Sequence, residues 1–298
     1  MELVVQPDDG AKAVIGAVEA AKKSLDLIIF RFDLKPLEKA IEAAVGRGVA
    51  VRTLIANTNS GGEKGLRQLE QRMLHAGVVV SRTGGDLVRY HGKLMIIDRD
   101  EVYVNGFNFT ARDLKSRSFG LVSRDARVVK EAMRLFEADV QREDFEPDHE
   151  GMVVSPENDR EELATFIKRT KKSLAIWDPK ITDTQMLRLL HMRKKAGVDI
   201  RILGKVGKRG SDLRVQKMPG IRLHVRAMVR DGEAAFVGSQ SLRALELDAR
   251  REVGLITRDA KVVKRILEVF EADWVKTDLG KKELKVHEKE LALREVAS

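Results

Sequence analysis

Two segments of this 298-residue chain repeat one arrangement of a histidine, a cation and an aspartate, H-x-K/R-x4-D. The members are His91, Lys93 and Asp98 in the first segment and His224, Arg226 and Asp231 in the second. Histidine exchanges protons near neutral pH, and lysine or arginine binds anions such as phosphate. Two matched sets in one chain predict a single site that uses two histidines, at a pseudo-twofold axis.

These side chains suit phosphodiester cleavage. One neutral imidazole would attack phosphorus and become a phosphohistidine, while the other, protonated, would donate to the leaving oxygen and then activate water or an alcohol. The two cations would bind the non-bridging oxygens, and an aspartate that accepts the other ring N–H would fix a histidine tautomer. We expect further hydrogen bonds to phosphate or to the cations from Asn108, Ser239 and Ser241. Because side chains balance the charge, we expect no metal or other cofactor.

The duplication reaches far beyond the motifs. Lys22 recurs as Lys171, His91 as His224 and Phe136 as Phe270. The offset between the copies is smaller from the histidines onward than at Lys22, which indicates extra loop in the first half, between Ile55 and Tyr90. Since the repeated part includes the ionisable residues, we expect the two halves to share one chemistry.

The paired motifs resemble the phospholipase D superfamily, whose signature is H-x-K-x4-D-x6-G-S-x-N in two copies, and the resemblance covers nearly the whole chain. It implies that His91 is the nucleophile, that His224 is the acid and base, and that Glu252 supports a histidine. The departures from the signature are Arg226 for lysine, Asn105-Gly106 for Gly-Ser, Ser241 for the second asparagine, and Ser118 at the position matching Glu252. This asymmetry fits either a division of labour between the histidines or a partial loss of activity.

The elements that must position these residues alternate between helix and strand in both halves. Leu94–Ile97 predicts a buried strand after the first motif, with Asp98 at its end, and His91 and Lys93 should project from one face. Strands are also expected at Leu25–Phe32 and Arg222–His224. Short strands that are apolar on both faces predict the α/β class, as two pseudo-symmetric, phospholipase D-like α/β/α sandwich halves with the active site between them.

The halves are placed at residues 1–145, with the first motif, and 146–298, with the variant second motif and a charged tail. The polar segment Gln141–Glu150 is the expected linker. The tail, Lys276–Ser298, is expected to form a surface helix; packing on another subunit and fraying are both open. One site between two halves of one chain favours a monomer.

Composition limits the classes of partner. The net charge of +9 favours polyanions, whereas an aromatic content of 5% argues against a base-stacking platform and an aromatic membrane belt. The absence of cysteine excludes disulfides and thiolate chemistry. We find no leader in residues 1–10 and no apolar run that could form a transmembrane segment, so we expect a cytoplasmic protein.

Three substrates or roles remain open. Single chains with two motifs in the resembling superfamily are often phospholipases or phosphatidyltransferases of the cardiolipin synthase kind, which favours a phospholipid and allows peripheral membrane contact. The basic charge favours a nuclease acting on DNA or RNA. A third class is a non-catalytic polyanion-binding protein. A lipid predicts an apolar channel to His91 and His224, a nucleic acid predicts a basic groove, and pure binding predicts that His91→Ala keeps all function.

Overall fold

A computed structural model describes residues 1–58, 63–210 and 212–296. The first half contains β1 (Glu2–Gln6), α1 (Lys12–Ala20), β2 (Ser24–Ile29), α2 (Lys35–Gly46), β3 (Ala50–Ile55), α3 (Glu63–His75), β4 (Val79–Arg82), β5 (Arg89–Tyr90), β6 (Leu94–Ile97), β7 (Glu101–Asn105), α4 (Ala111–Leu114), β8 (Ser118–Ser123) and α5 (Ala126–Gln141). The second half contains β9 (Met152–Ser155), α6 (Asp159–Lys168), β10 (Ser173–Ile181), α7 (Thr184–Lys195), β11 (Asp199–Val206), β12 (Arg214–Gln216), β13 (Arg226–Arg230), β14 (Ala234–Gly238), α8 (Ala244–Asp248), β15 (Arg250–Thr257), α9 (Ala260–Trp274) and α10 (Asp278–Val296).

The two sheets repeat one strand order. The first runs β1-β8-β7-β6-β2-β3-β4, and the second runs β12-β11-β10-β13-β14-β15, with β9 also paired to β15. Strand β5 breaks the symmetry, because it belongs to the first half but pairs in parallel with β15 of the second, placing Arg89 beside Arg250. The expected pseudo-symmetric α/β halves are thus confirmed, and one strand joins them.

Apolar side chains form three clusters. One covers the outer face of the first sheet against α1, α2 and α3, and another covers the outer face of the second sheet against α6 and α7. The third lies between the sheets and draws on both halves, with α5 and α9 contributing most of its helical residues. Trp177 is edge-on to Phe119 of the other half at 5.0 Å and to Phe270 at 4.8 Å. The halves therefore share one core.

Two buried ion pairs cross the boundary between the halves. Arg117 Nε lies 2.9 Å from Asp273 Oδ2, and Arg251 Nε lies 3.0 Å from Asp139 Oδ1. The two pairs occupy matching positions of the repeat, and all four side chains are buried. Burial raises the pKa of Asp139 to about 7 despite its arginine partner.

Two predicted strands differ from the structure. The strand expected to reach Phe32 ends at Ile29, since Phe30 turns towards His91, and their ring centroids are 4.5 Å apart. The segment expected as a strand at Arg222–His224 makes only an isolated bridge, between Leu223 and Arg117 of the other half. In both cases, a segment next to a strand lies at the boundary between the halves.

The charged tail forms α10 and packs on its own half at its beginning. Glu283 accepts a hydrogen bond from Trp274 Nε1 at 2.9 Å and also pairs with Arg214. The start of the tail is therefore an ordered helix that packs on its own half. Within the described ranges, no helix combines the length and the apolar character that a membrane crossing requires.

Candidate active site

Both motif histidines lie at the boundary between the halves. His91 precedes β6 and His224 precedes β13, and each is 7% exposed. Their backbone amides donate across the boundary, from His91 to the Arg251 carbonyl at 2.7 Å and from His224 to the Arg117 carbonyl at 3.0 Å. Each histidine is thus held by the opposite half, which puts the two motifs into one site.

The His91 ring is held by a carboxylate of the second half. Its Nδ1 lies 2.6 Å from Oε2 of Glu252, which also accepts a hydrogen bond from the Ser239 hydroxyl at 2.6 Å. Glu252 is fully buried, and burial raises the pKa of its carboxyl. When Glu252 is ionised it accepts from Nδ1–H, which leaves the lone pair of the ring on Nε2.

The His224 ring has a different and looser partner, Asp113 on α4, at 3.5 Å between Nδ1 and Oδ2. The same carboxylate accepts from the backbone and the side-chain amide of Asn108 at 2.9 and 2.6 Å, and from Arg222 at 2.7 Å. Sequence reasoning missed Asp113. The available signal was a second small repeat: Asn108 precedes Asp113 by five residues as Ser241 precedes Glu246, and Ser241 likewise donates its amide to Glu246 at 2.7 Å.

The motif cations fold back onto their own histidines. Lys93 Nζ donates to the carbonyl of His91, and Arg226 donates to the carbonyl of His224 at 2.7 Å. Arg226 Nε also donates to the Ser241 hydroxyl at 3.3 Å, as expected for that serine. Lys93 is 1% exposed, and burial lowers its pKa to about 7.

The surroundings of both histidines favour the neutral form of the ring. Burial is the largest cause that holds the pKa of His91 and of His224 well below 6.5. The charges of Lys93 and Arg226 lower both values further. A bound phosphodiester anion would offset that positive charge and raise the pKa of the histidine that must donate a proton.

The motif aspartates do not reach the histidines. Asp98 accepts the backbone amides of residues 22, 23 and 24 at 2.6–3.1 Å, and Asp231 accepts those of 171, 172 and 173 at 2.6–3.2 Å. The five steps of strand from Lys93 to Asp98 span about 17 Å. Their expected membership of the catalytic set is therefore corrected: Glu252 and Asp113 contact the histidines instead.

Two other predicted residues act indirectly. Ser239 uses its hydroxyl on Glu252, and Asn108 uses its amide on Asp113, so both brace a carboxylate where contact with phosphate or a cation was expected. In the first half, Gly106 stands where Ser239 stands in the second, and a Cβ there would lie 2.9 Å from the Gly238 carbonyl oxygen. The first half thus lacks the serine hydroxyl at Gly106, where its backbone approaches the backbone of the second half at Gly238 too closely for a side chain.

Comparison with known proteins identifies the family. A sequence profile described as "Cardiolipin synthase, PLD-like domain" matches residues 14–140 and 163–274. No curated protein sequence matches the chain. Solved structures that share the fold include two that cover nine-tenths or more of this chain. They are a polyphosphate kinase from Porphyromonas gingivalis (TM-score 0.76, 18% identity, 91% of this chain and 46% of that one) and a phosphatidylserine synthase from Haemophilus influenzae Rd KW20 (TM-score 0.70, 11% identity, 90% and 84%).

The extent of these matches differs. The chain spans about half the length of the kinase, and at such identities both structures indicate the fold alone. The profile, in contrast, matches most of both halves, including both motifs. The chain therefore belongs to the phospholipase D superfamily, in the family of cardiolipin synthase, PLD-like domains.

Proposed function

We propose that the protein cleaves or transfers a phosphodiester through a phosphohistidine on His91, without a metal ion. The observation that carries this proposal is the buried chain of contacts from Ser239 through Glu252 to His91 Nδ1. Such a chain fixes the ring and its tautomer, and it leaves Nε2 as an oriented lone pair.

The reaction has two steps. His91 Nε2 attacks phosphorus and the bond to the leaving oxygen breaks, while protonated His224 donates to that oxygen. Neutral His224 then takes a proton from water or an alcohol, whose oxygen attacks phosphorus as the N–P bond breaks. Lys93 and Arg226 stabilise the charge on the non-bridging oxygens in both steps.

The two carboxylates support this division of labour. Glu252 contacts His91 at 2.6 Å, whereas Asp113 lies 3.5 Å from His224 and also accepts from Asn108 and Arg222. A nucleophile gains from close placement, and a proton carrier gains from a partner that does not fix one protonation state. These differences favour His91 as nucleophile and His224 as acid and base.

The surroundings of His91 bear on the substrate. The phospholipid expected from the sequence would need an apolar channel, but the described side chains around Phe30 and His91 include Arg31, Arg89 and Lys93. This basic border favours the nucleic acid alternative over a lipid with an uncharged tail near the histidines. One similar structure is named a polyphosphate kinase and the other a phosphatidylserine synthase. The shared fold therefore does not decide between a lipid and a nucleic acid substrate.

The test is to trap the intermediate. The protein would be incubated with ³²P-labelled thymidine 5′-(p-nitrophenyl phosphate) in the presence of EDTA. The reaction would then be quenched with alkali, which preserves phosphohistidine. We expect label on the wild type and none on His91→Ala. His224→Ala should keep the label but lose turnover, because p-nitrophenolate leaves without an acid while hydrolysis needs the base.

The outcomes separate the alternatives. Label on His91→Ala that is absent from His224→Ala would reverse the assignment of the nucleophile. No label and no turnover, with either this ester or phosphatidylglycerol, would contradict the enzymatic proposal and support a polyanion-binding protein. Asp98→Asn serves as the matched control, since it changes a motif residue that lies outside the site, and it should label as the wild type does.

A further inference from the structure

We propose that Arg31, Arg89 and Arg250 form a subsite for a second phosphate, beside the phosphate that His91 attacks, and that the substrate is a nucleic acid strand. This inference rests on the proposed function and adds the substrate class to it. The three residues are called the arginine cluster below.

The arginine cluster is adjacent to the nucleophile. The guanidinium carbons of Arg31 and Arg89 each lie 5.5 Å from the centre of the Phe30 ring, and that ring is 4.5 Å from the His91 ring. Both guanidinium groups and the His91 ring therefore lie against the same side chain, Phe30. Phe30 serves as the common support for His91 and both arginines.

The two halves bring like charges together in this cluster. Arg89 on β5 is the register partner of Arg250 on β15, so the two side chains leave neighbouring strands at the same level. Burial, and then the charges of Arg250 and Arg31, lower the pKa of Arg89, while the carboxylates of Glu252 and Glu246 offset part of this effect. Like charges on facing strand positions destabilise a fold, so their presence together here calls for an anion.

Each arginine of the cluster also has an unused donor. The Nε atoms of Arg31, Arg89 and Arg250 are all buried, and none has a hydrogen-bond partner in the part of the chain that the structure describes. Arg250 is partly balanced, with Nη1 3.3 Å from Glu246 Oε1. A buried N–H without a partner costs free energy, and phosphate oxygens match guanidinium donors in charge and geometry.

The other half supplies an internal comparison. At the offset that relates His91 to His224, the counterpart of Arg89 in the repeat is Arg222. Arg222 is neutralised, because it donates to Asp113 at 2.7 Å and to Ser116 at 2.9 Å. Arg222, next to His224, is thus paired with a carboxylate, whereas its counterpart Arg89, next to His91, has no such hydrogen bond among the described residues. The His91 side of the site therefore carries more unpaired positive charge.

If the cluster binds the substrate, the anion held there is covalently joined to the scissile phosphodiester. A nucleic acid strand always meets this condition, because every nucleotide carries a phosphate next to the one being cleaved. Arginine recognises phosphate oxygens without reading the base. The cluster therefore predicts selection for a second phosphate with little selection for sequence.

The test compares two esters that differ by one phosphate. Thymidine 5′-(p-nitrophenyl phosphate) would be assayed with and without a 3′-phosphate, and bis(p-nitrophenyl) phosphate would serve as the substrate with a single phosphate. In the wild type, the 3′-phosphate should raise kcat/KM about 10- to 100-fold, as expected for one charged hydrogen-bonded contact. Arg89→Gln and Arg31→Gln should each remove most of this ratio.

The controls separate this inference from the proposed function. Both variants should cleave bis(p-nitrophenyl) phosphate within about threefold of the wild type, a change smaller than one hydrogen bond to a charged group would produce. Arg127→Gln alters an arginine whose side chain is 82% exposed and should keep the full ratio. Circular dichroism would establish that each variant is folded. If only one of Arg89→Gln and Arg31→Gln folds, that variant alone is enough for the test.

Three results would overturn the inference. A 3′-phosphate ratio near one in the active wild type would remove the subsite while leaving the phosphodiesterase intact. A ratio that survives in both cluster variants would place the second phosphate elsewhere. A higher kcat/KM for phosphatidylglycerol in mixed micelles than for the 3′-phosphorylated ester would exclude the nucleic acid assignment and support a lipid.

Discussion

Two carboxylates that differ in length and in partners hold the two histidines. Glu252 is braced by one hydroxyl and contacts His91, while Asp113 is shared among several donors near His224. Their separate effects on catalysis can be measured, because the proposed mechanism assigns one carboxylate to the nucleophile and the other to the proton carrier.

Replacing Glu252 by Gln should lower kcat about 10²- to 10⁴-fold, since an amide oxygen is a weaker acceptor than a carboxylate and the amide NH2 can stabilise the other tautomer of the His91 ring. The melting temperature should not fall, because burial, which raises the pKa of Glu252, disfavours the carboxylate that the neutral amide replaces. Turnover of bis(p-nitrophenyl) phosphate and thermal denaturation measure the two effects. A kcat within twofold of the wild type would contradict the supporting role of Glu252.

Replacing Asp113 by Asn should change the pH dependence. The charge of Asp113 raises the pKa of His224, against burial and Arg226, which lower it. Because free His224 must be protonated to act as the acid, kcat/KM should fall as pH rises, and the optimum should lie below pH 6.5. The variant should shift this alkaline limb to still lower pH.

The acid limb of that profile is the control for Asp113→Asn. It reports the protonation of His91, whose carboxylate partner is Glu252, and it should stay in place. A uniform loss of rate at every pH, with both limbs unmoved, would assign Asp113 a purely structural role.

At the scale of elements, each motif is a strand with chemistry at one end and an anchor at the other. His91 donates its backbone amide to the opposite half, while Asp98 holds the start of β2 through three backbone amides. The second half repeats this with Asp231 and the start of β10. The spacing shared by the two copies thus joins a catalytic end to a structural end.

Replacing Asp98 by Asn should lower the free energy of unfolding by about 1–3 kcal/mol, as expected when a carboxylate acceptor is weakened. Asp98 has a φ of 52°, in the left-handed region. Asparagine also adopts this backbone conformation readily, so the substitution adds no backbone strain. Urea denaturation measures the loss, and kcat of the folded variant should remain within twofold. A large loss of kcat with unchanged stability would return Asp98 to the catalytic set.

The pH dependence of that loss has a defined sign. Burial raises the pKa of Asp98, but the three backbone hydrogen bonds outweigh it and bring the pKa below 3.8. The stabilisation is therefore present above pH 3.8 and disappears as pH falls through the lower value in the folded state. Wild type and Asp98→Asn should converge in stability at low pH.

At the scale of the whole molecule, the halves proposed at 1–145 and 146–298 share a core and two buried ion pairs. We expect one cooperative unfolding transition in spite of the duplication. Removal of one partner leaves a buried charge without compensation, so Arg117→Met should cost about 3–5 kcal/mol.

Urea unfolding of Arg117→Met would be followed by fluorescence of Trp177 and Trp274, both in the second half, and by far-ultraviolet circular dichroism of the whole chain. The two transitions should coincide in the wild type and shift together in the variant. Arg251→Met, at the matching position, is the symmetric control and should behave alike. Separate transitions would show that the halves unfold as independent domains.

The sequence by itself determined the features that are local or periodic. The spacing of His91, Lys93 and Asp98, its recurrence from His224 onward, and the alternation of buried strands with helices were enough for the α/β class and the superfamily. It also located the asymmetry, since Gly106 and Ser118 stand where the second half has Ser239 and Glu252. These properties follow from side-chain periodicity and from comparison of one half with the other.

Only the tertiary structure decided which side chains meet. Asp113 reaches His224 and Glu252 reaches His91 from the opposite half of the chain, because β5 and the bridge at Arg117 carry each half into the other. The pairing of β5 with β15 also places Arg89 beside Arg250. Asp98 lies at the far end of β6 from His91, where it binds backbone amides instead of a histidine. A carboxylate acts over a few ångströms, so its role depends on where the chain returns in space, and spacing along the sequence does not contain that distance.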